Sequence, residues 1–130
     1  MFSLSQHSEE IVARIRQSAL LRTVASVDGA SAASGNVVFP SALVYLESGD
    51  CSQTGGMAQL EAAWGVLVRS PRDVQLAVDD CCKLLNCLNF SSTSSELRLA
   101  SVKLSGSDDG VFEYQIIFSC RHVAAAGVET

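Results

Sequence analysis

Phe112-Glu113-Tyr114-Gln115-Ile116-Ile117-Phe118-Ser119-Cys120-Arg121 alternates apolar and polar side chains, with Ile117 the one exception. That period of two marks an extended strand with one buried and one wetter face. Just before it stand Ser105, Gly106, Ser107, Asp108, Asp109 and Gly110, residues that turn a chain. Residues 97–104 form another extended run on the far side of that turn, so the two runs predict a β-hairpin. Within 97–104, Leu97 and Leu99 are out of phase with Val102 and Leu104, which predicts a bulge or burial on both faces.

Upstream, Val74, Ala77, Val78, Cys81, Leu84, Leu85 and Leu88 recur at helical spacing after Ser70, Pro71 and Arg72, where proline suits a first helical turn. Residues 60–70 read as a strand in which Trp64, Val66 and Val68 face one way and Gly65, Leu67 and Arg69 the other. Ala42, Leu43, Val44, Tyr45 and Leu46 follow Pro40 as a short strand with both alternating sets apolar, predicting cover on both faces. A long connection over 48–56 joins these two. Ile11, Val12, Ile15, Ala19 and Leu20 place an opening amphipathic helix over 8–22, with Ser8 as its cap. Residues 27–36 are small and aperiodic, a surface loop, and 124–130 read as a disordered or partner-bound tail.

The expected fold is therefore α+β in αββαββ order, an antiparallel sheet with two helices on one face. At 130 residues, 48% hydrophobic and 18% charged, the chain suits one globular domain and is richer in apolar side chains than solubility requires. Its formal net charge of −5 opposes phosphate backbones and anionic lipid, so neither nucleic acid nor membrane is an expected partner. No apolar run approaches the ~20 residues of a membrane span, and the first ten residues lack the features of an export signal. Cytoplasmic synthesis with five reduced cysteines is the expectation.

Candidate chemistry is weak. Cys81, Cys82 and Cys87 lie on one helical pattern, and at ~100° per residue their thiols diverge too far to share a tetrahedral ion unless the helix ends before Cys87. Cys120 and His122 share a strand face, where side chains stand parallel and do not make the hydrogen bond that activates a thiol. Asp79 and Asp80 point apart on a helix, and Asp108 and Asp109 belong to a turn. No catalytic residue, metal ligand or cofactor is expected. Trp64 reads as core, Tyr45 as core or contact anchor, and Arg69, Lys103 and Arg121 as outer-face charges with Glu113 a natural partner.

The element order, the segment Phe39-Pro40-Ser41-Ala42-Leu43-Val44-Tyr45-Leu46, the strand Trp64-Gly65-Val66-Leu67-Val68, the helix end Leu84-Leu85-Asn86-Cys87-Leu88-Asn89-Phe90 and the closing strand from Val111 resemble the tail terminator and minor tail proteins of lambda-like and Mu-like bacteriophages. That resemblance implies a non-enzymatic virion protein that forms a hexameric ring. Such a ring ends tail-tube or sheath polymerisation and joins the head-proximal end of the tail to the neck. Leu43, Tyr45, Leu67 and Arg69 are the candidate subunit interface, and Asp28, Gly29, Ser31, Asp108 and Asp109 the candidate axial contacts. A head-to-tail connector or other minor tail component is the alternative, and a thiol-dependent enzyme using Cys120 or the helix cysteines is the third reading.

Overall fold

The computed structural model describes residues 3–27, 37–90 and 95–125. Helix α1, Leu4–Ile15, buries His7, Ser8, Ile11, Val12 and Ile15, a stripe at the spacing of three and four that one helix face requires. Its cap is Ser3, whose hydroxyl accepts from the Gln6 amide at 3.4 Å. The helix therefore starts a turn earlier than expected, and Ser8 is a buried residue inside it. It also stops at Ile15, well short of residue 22. The Ser18 hydroxyl accepts from the amides of Leu20 and Leu21, giving them partners outside any helix, and the chain then extends into strand β1, Thr23–Ser26.

Strand β1 pairs in parallel with β2, Ser41–Thr54, in the register Thr23 with Ser41 through Ser26 with Val44. The expected order thus gains a strand, and the expected all-antiparallel sheet becomes mixed. Strand β2 turns into β3, Met57–Ser70, through Gly55 and Gly56 alone. Gly55 takes the left-handed region at φ 62°, which glycine enters without a Cβ penalty. The long connection expected over 48–56 is therefore strand, carried past its polar residues by an irregularity between Leu46 and Ser48.

Helix α2, Val74–Leu85, links β3 to β4, Arg98–Asp108, which turns through Asp109 and Gly110, both at positive φ, into β5, Val111–Ala125. The helix begins after Pro71 and Arg72 rather than on them. Ser70 ends β3, and its hydroxyl accepts from the Arg72 amide at 3.2 Å before Asp73 takes φ 52° ahead of the helix. Register shifts between Leu99 and Ser101 and between Leu104 and Gly106 supply the expected bulge. They return Leu99, Val102 and Leu104 to one face, opposite Phe118, Ile116 and Tyr114 of β5.

The sheet order is β1-β2-β3-β5-β4, so the two hairpins join where β3 meets β5 in antiparallel register. Both helices lie on one face. There Val44, Trp64, Val66, Val68, Ile116 and Phe118 meet Ile11 and Ile15 of α1 and Val78, Cys81 and Leu85 of α2 in one apolar cluster. Two polar ties fix the helices to each other: Arg14 Nε donates to the Leu84 carbonyl at 2.9 Å, and the Ser18 hydroxyl donates to the Asp80 carboxylate.

Candidate functional site

Alternation forces every second residue of the central strands away from the helices. Among the described residues no helix or strand covers that outer face; Val27 and Val37 line a cavity beside Leu43 and Leu67, and Leu43, Tyr45, Leu67 and Ile117 remain half-exposed. The two-sided burial expected for 42–46 is thus half met: Ala42 and Val44 are buried, Leu43 and Tyr45 are not. The Tyr45 ring lies flat over Gly65, where a Cβ would stand 2.3 Å from Tyr45 Cζ. Gln115 Nε2 donates to the Tyr45 hydroxyl, pinning the ring across three strands, and burial raises the phenol above its ordinary pKa. Tyr45 is therefore a fixed apolar plate on the outer face.

The outer-face charges do not form one cluster. Arg69 pairs with Glu113 at 3.6 Å and stacks 5.9 Å above the Phe39 ring, while Arg121 pairs with Glu61 at 3.7 Å. Lys103 stands opposite Gln115, six residues before Arg121 on β5, roughly 20 Å away. These exposed pairs fix side-chain direction more than they stabilise the fold.

On the helix side, burial favours the uncharged forms of Cys81, Cys82, Cys120, His7 and His122. Cys81 is fully buried and burial pushes its thiol up to about 12, Cys82 is half-buried and also raised, and Cys87 is exposed beyond the end of the helix. Cys120 and His122 do share a face, but each is engaged elsewhere. Cys120 Sγ donates to the Ser95 carbonyl at 3.0 Å, and the Trp64 indole N–H donates to His122 Nε2 at 3.1 Å. Desolvation raises the Cys120 thiol and lowers the His122 imidazole to about 4, the reverse of an activated thiolate and imidazolium. His7 stacks on His122 with ring centroids 3.9 Å apart, and Phe90 meets both rings edge-on. Among the described residues, no group of three or more His, Cys, Asp or Glu converges on a common point for a metal.

The sheet's two edges went unread in the sequence. Strand β4 is exposed along its length apart from half-buried Gly106, although Leu99, Val102 and Leu104 sit on its helix-side row at 42%, 42% and 53% exposure. Helix α2 packs mainly over β3 and β5, where Gln75 Nε2 donates to the Tyr114 hydroxyl at 3.0 Å. It touches β4 only at that strand's start, where the Leu99 amide donates to Asn86 Oδ1 at 3.2 Å; Phe112 and Leu76 stay exposed. At the opposite edge β1 pairs only with residues 41–44 of β2, and Val27 adds one more bond to the Val44 carbonyl. Among the described residues nothing pairs with 45–54 on that side. Only the phase break at 97–104 hinted at an unusual strand there.

Of the remaining predicted residues, Asp108 ends β4 and Asp109 forms the β4–β5 turn, while Asp28, Gly29 and Ser31 lie outside the described residues. The tail expected to begin at 124 is strand through Ala125, and 126–130 lie outside the described residues.

No family model and no curated protein matches the chain. Among solved structures it is similar in fold to a chain of the virion of a native gene transfer agent particle, with TM-score 0.57 and 14% sequence identity, over 93% of this chain and 98% of that one. The likeness spans both helices and the sheet and is one of architecture.

Proposed function

We propose that this chain is a structural subunit of a phage-like tail that closes into a ring at the end of the tail tube or sheath. There it stops polymerisation and presents the surface to which the head or neck joins. The carrying observation is the half-covered sheet: helices seal one face, while Leu43, Tyr45, Leu67 and Ile117 are left on the other. Apolar surface of this kind, fixed in place by Tyr45 and rimmed by Arg69 with Glu113, suits burial by another protein. The similarity in fold to a virion chain over almost its whole length favours the same setting.

A ring subunit uses heterologous contacts on its two flanks and keeps its ends for other parts of the particle. The turns at Asp109 and at Gly55 mark the ends of the hairpins, and with Asp28, Gly29, Ser31 and Asp108 they are the proposed axial contacts. The resemblance in element order sets the expected ring at six copies, with tube, sheath or neck proteins as neighbours. The role is non-enzymatic, in keeping with core thiols and imidazoles whose uncharged forms burial favours.

Electron microscopy of the purified protein should show rings with a central hole. Leu67→Asp should keep the far-UV circular dichroism of the parent and lower the assembled mass in light scattering. An unchanged mass removes Leu67 from the contact surface. A monomer at every concentration, without affinity for tail parts, overturns the reading.

A further inference from the structure

A long edge strand that exposes apolar side chains invites pairing with another strand, and natural proteins cover or charge such edges. Strand β4, met by Asn86 only at the Leu99 amide, combines 11 residues, an apolar helix-side row and the basic outer-face residues Arg98 and Lys103. Residues 45–54 of β2, which among the described residues have no strand partner on the side away from β3, are of nearly the same length and carry Glu47 and Asp50 with no basic residue. These edges lie at opposite ends of one sheet. From the ring reading above, we infer that β4 of one copy pairs with 45–54 of β2 in the next, joining successive sheets edge to edge around the ring.

Strand direction, charge and side-chain size all favour this pairing. Strands β2 and β3, β3 and β5, and β5 and β4 are each antiparallel, so β4 runs opposite to β2. A copy placed alongside in the same orientation therefore offers β2 antiparallel to β4, which allows regular ladder bonds. Lys103 and Asp50 both point to the outer face, opposite Gln115 and Glu61 within their own sheets. Setting these two side by side puts Val102 across from Cys51 and Leu104 across from Gly49, which has no side chain to obstruct the leucine. An antiparallel β4-to-β4 dimer would instead set basic residue against basic residue, as when Arg98 of each copy faces Lys103 of the other. Because the two joined edges differ, the contact repeats from copy to copy, which is the kind of contact a closed ring requires.

Cys51 is exposed on the β2 edge and provides a built-in probe. In the full chain carrying Cys87→Ser, cysteine is introduced singly at Leu99, Val102 or Leu104, and the assembled protein is treated with a mild thiol oxidant. Facing strand positions are close enough for a disulfide. Val102→Cys should give a ladder of covalent species extending beyond the dimer, and Cys51→Ser should abolish it. A Cys51-dependent ladder from either flanking site also supports edge pairing, in a shifted register. Assembled rings that yield no ladder from any of the three overturn the edge pairing and leave the ring reading standing. Links that stop at the dimer and survive Cys51→Ser also overturn it, because they identify β4-to-β4 contact. Absence of assembly in light scattering overturns both. As an independent measure, Lys103→Glu should lower the assembled fraction about tenfold, and adding Asp50→Lys should restore it. Failure of the double substitution to recover more than either single one overturns the Lys103–Asp50 register.

Discussion

The two faces of the sheet are built by neighbouring residues of the same strands and obey different physics. On the helix side Val66, Val68, Ile116 and Phe118 are fully buried against α1 and α2, so each methyl group is matched by atoms of another layer. On the outer side no helix or strand among the described residues covers Leu67 and Ile117, with Tyr45 laid over Gly65 and ion pairs at 3.6 Å and 3.7 Å near the two ends of the face. One face holds the fold together; the other is organised but unfinished. The contrast shows that apolar content alone does not separate core from contact surface, since a layer of helices lies over one row and not over its neighbour.

The largest expected effect tests that contrast within one strand. Phe118→Ala leaves a cavity under both helices and should cost about 3–5 kcal/mol in denaturant unfolding. Ile117→Ala, on the outer face next door, should cost about 1 kcal/mol in the isolated subunit. Equal losses would mean that the outer face carries as much of the folding energy as the core.

Next in size is a pH effect confined to the helix side. His122, packed among His7, Trp64 and Phe90 with Glu10 nearby, is lowered from 6.5 to about 4, chiefly by desolvation and then by the neighbouring His7, with Glu10 opposing. A base with a lowered folded pKa binds protons more readily when unfolded. Its stabilising contribution is complete above pH ~6.5 and is lost as the pH falls toward about 4, a change on the order of 3 kcal/mol. His7 is lowered as well, by desolvation first, and acts in the same direction. Unfolding midpoints measured between pH 7.5 and 4.5 should fall in the parent and flatten in His122→Gln, which keeps an acceptor for the Trp64 indole. A parallel fall in both would assign the acid sensitivity to other groups.

The smallest of the three effects sharpens the outer face. Gly65→Ala drives a methyl into the Tyr45 ring and should cost about 1–3 kcal/mol by thermal unfolding. Tyr45→Ala in the same chain removes the obstacle, so the double variant should lose less than the sum of the two single ones. Additive losses would mean that the ring does not rest on Gly65.

Much of this was legible in the chain. The alternation from Phe112 to Cys120 gave the right faces for β5, and Trp64, Val66 and Val68 are core as their spacing required. The phase break between Leu99 and Val102 is the bulge it implied. Helical spacing placed Cys81 in the core, whereas Cys87 lies beyond the end of α2 at Leu85, so its position is set by the chain that follows and not by helical spacing. Strand β1 escaped because Thr23-Val24-Ala25-Ser26 is four residues long and has no pattern apart from its partner. The length of β2 escaped because Ser48, Gly49, Asp50 and Ser52 look like a loop, and the sheet overrides that preference by pairing them with 59–63. The engagement of His122 with Trp64 and His7 joins residues far apart in the chain, so no local spacing carries it.

By itself the sequence determined which residues alternate, which recur at helical spacing and where glycine and aspartate turn the chain, because these depend on neighbours within a few positions. Only the tertiary structure decided which apolar row the helices cover and which strand edges stay open. Cover and pairing are set by elements distant in sequence, and a Leu67 bared on the sheet is written with the same letter as a Leu85 sealed beneath it.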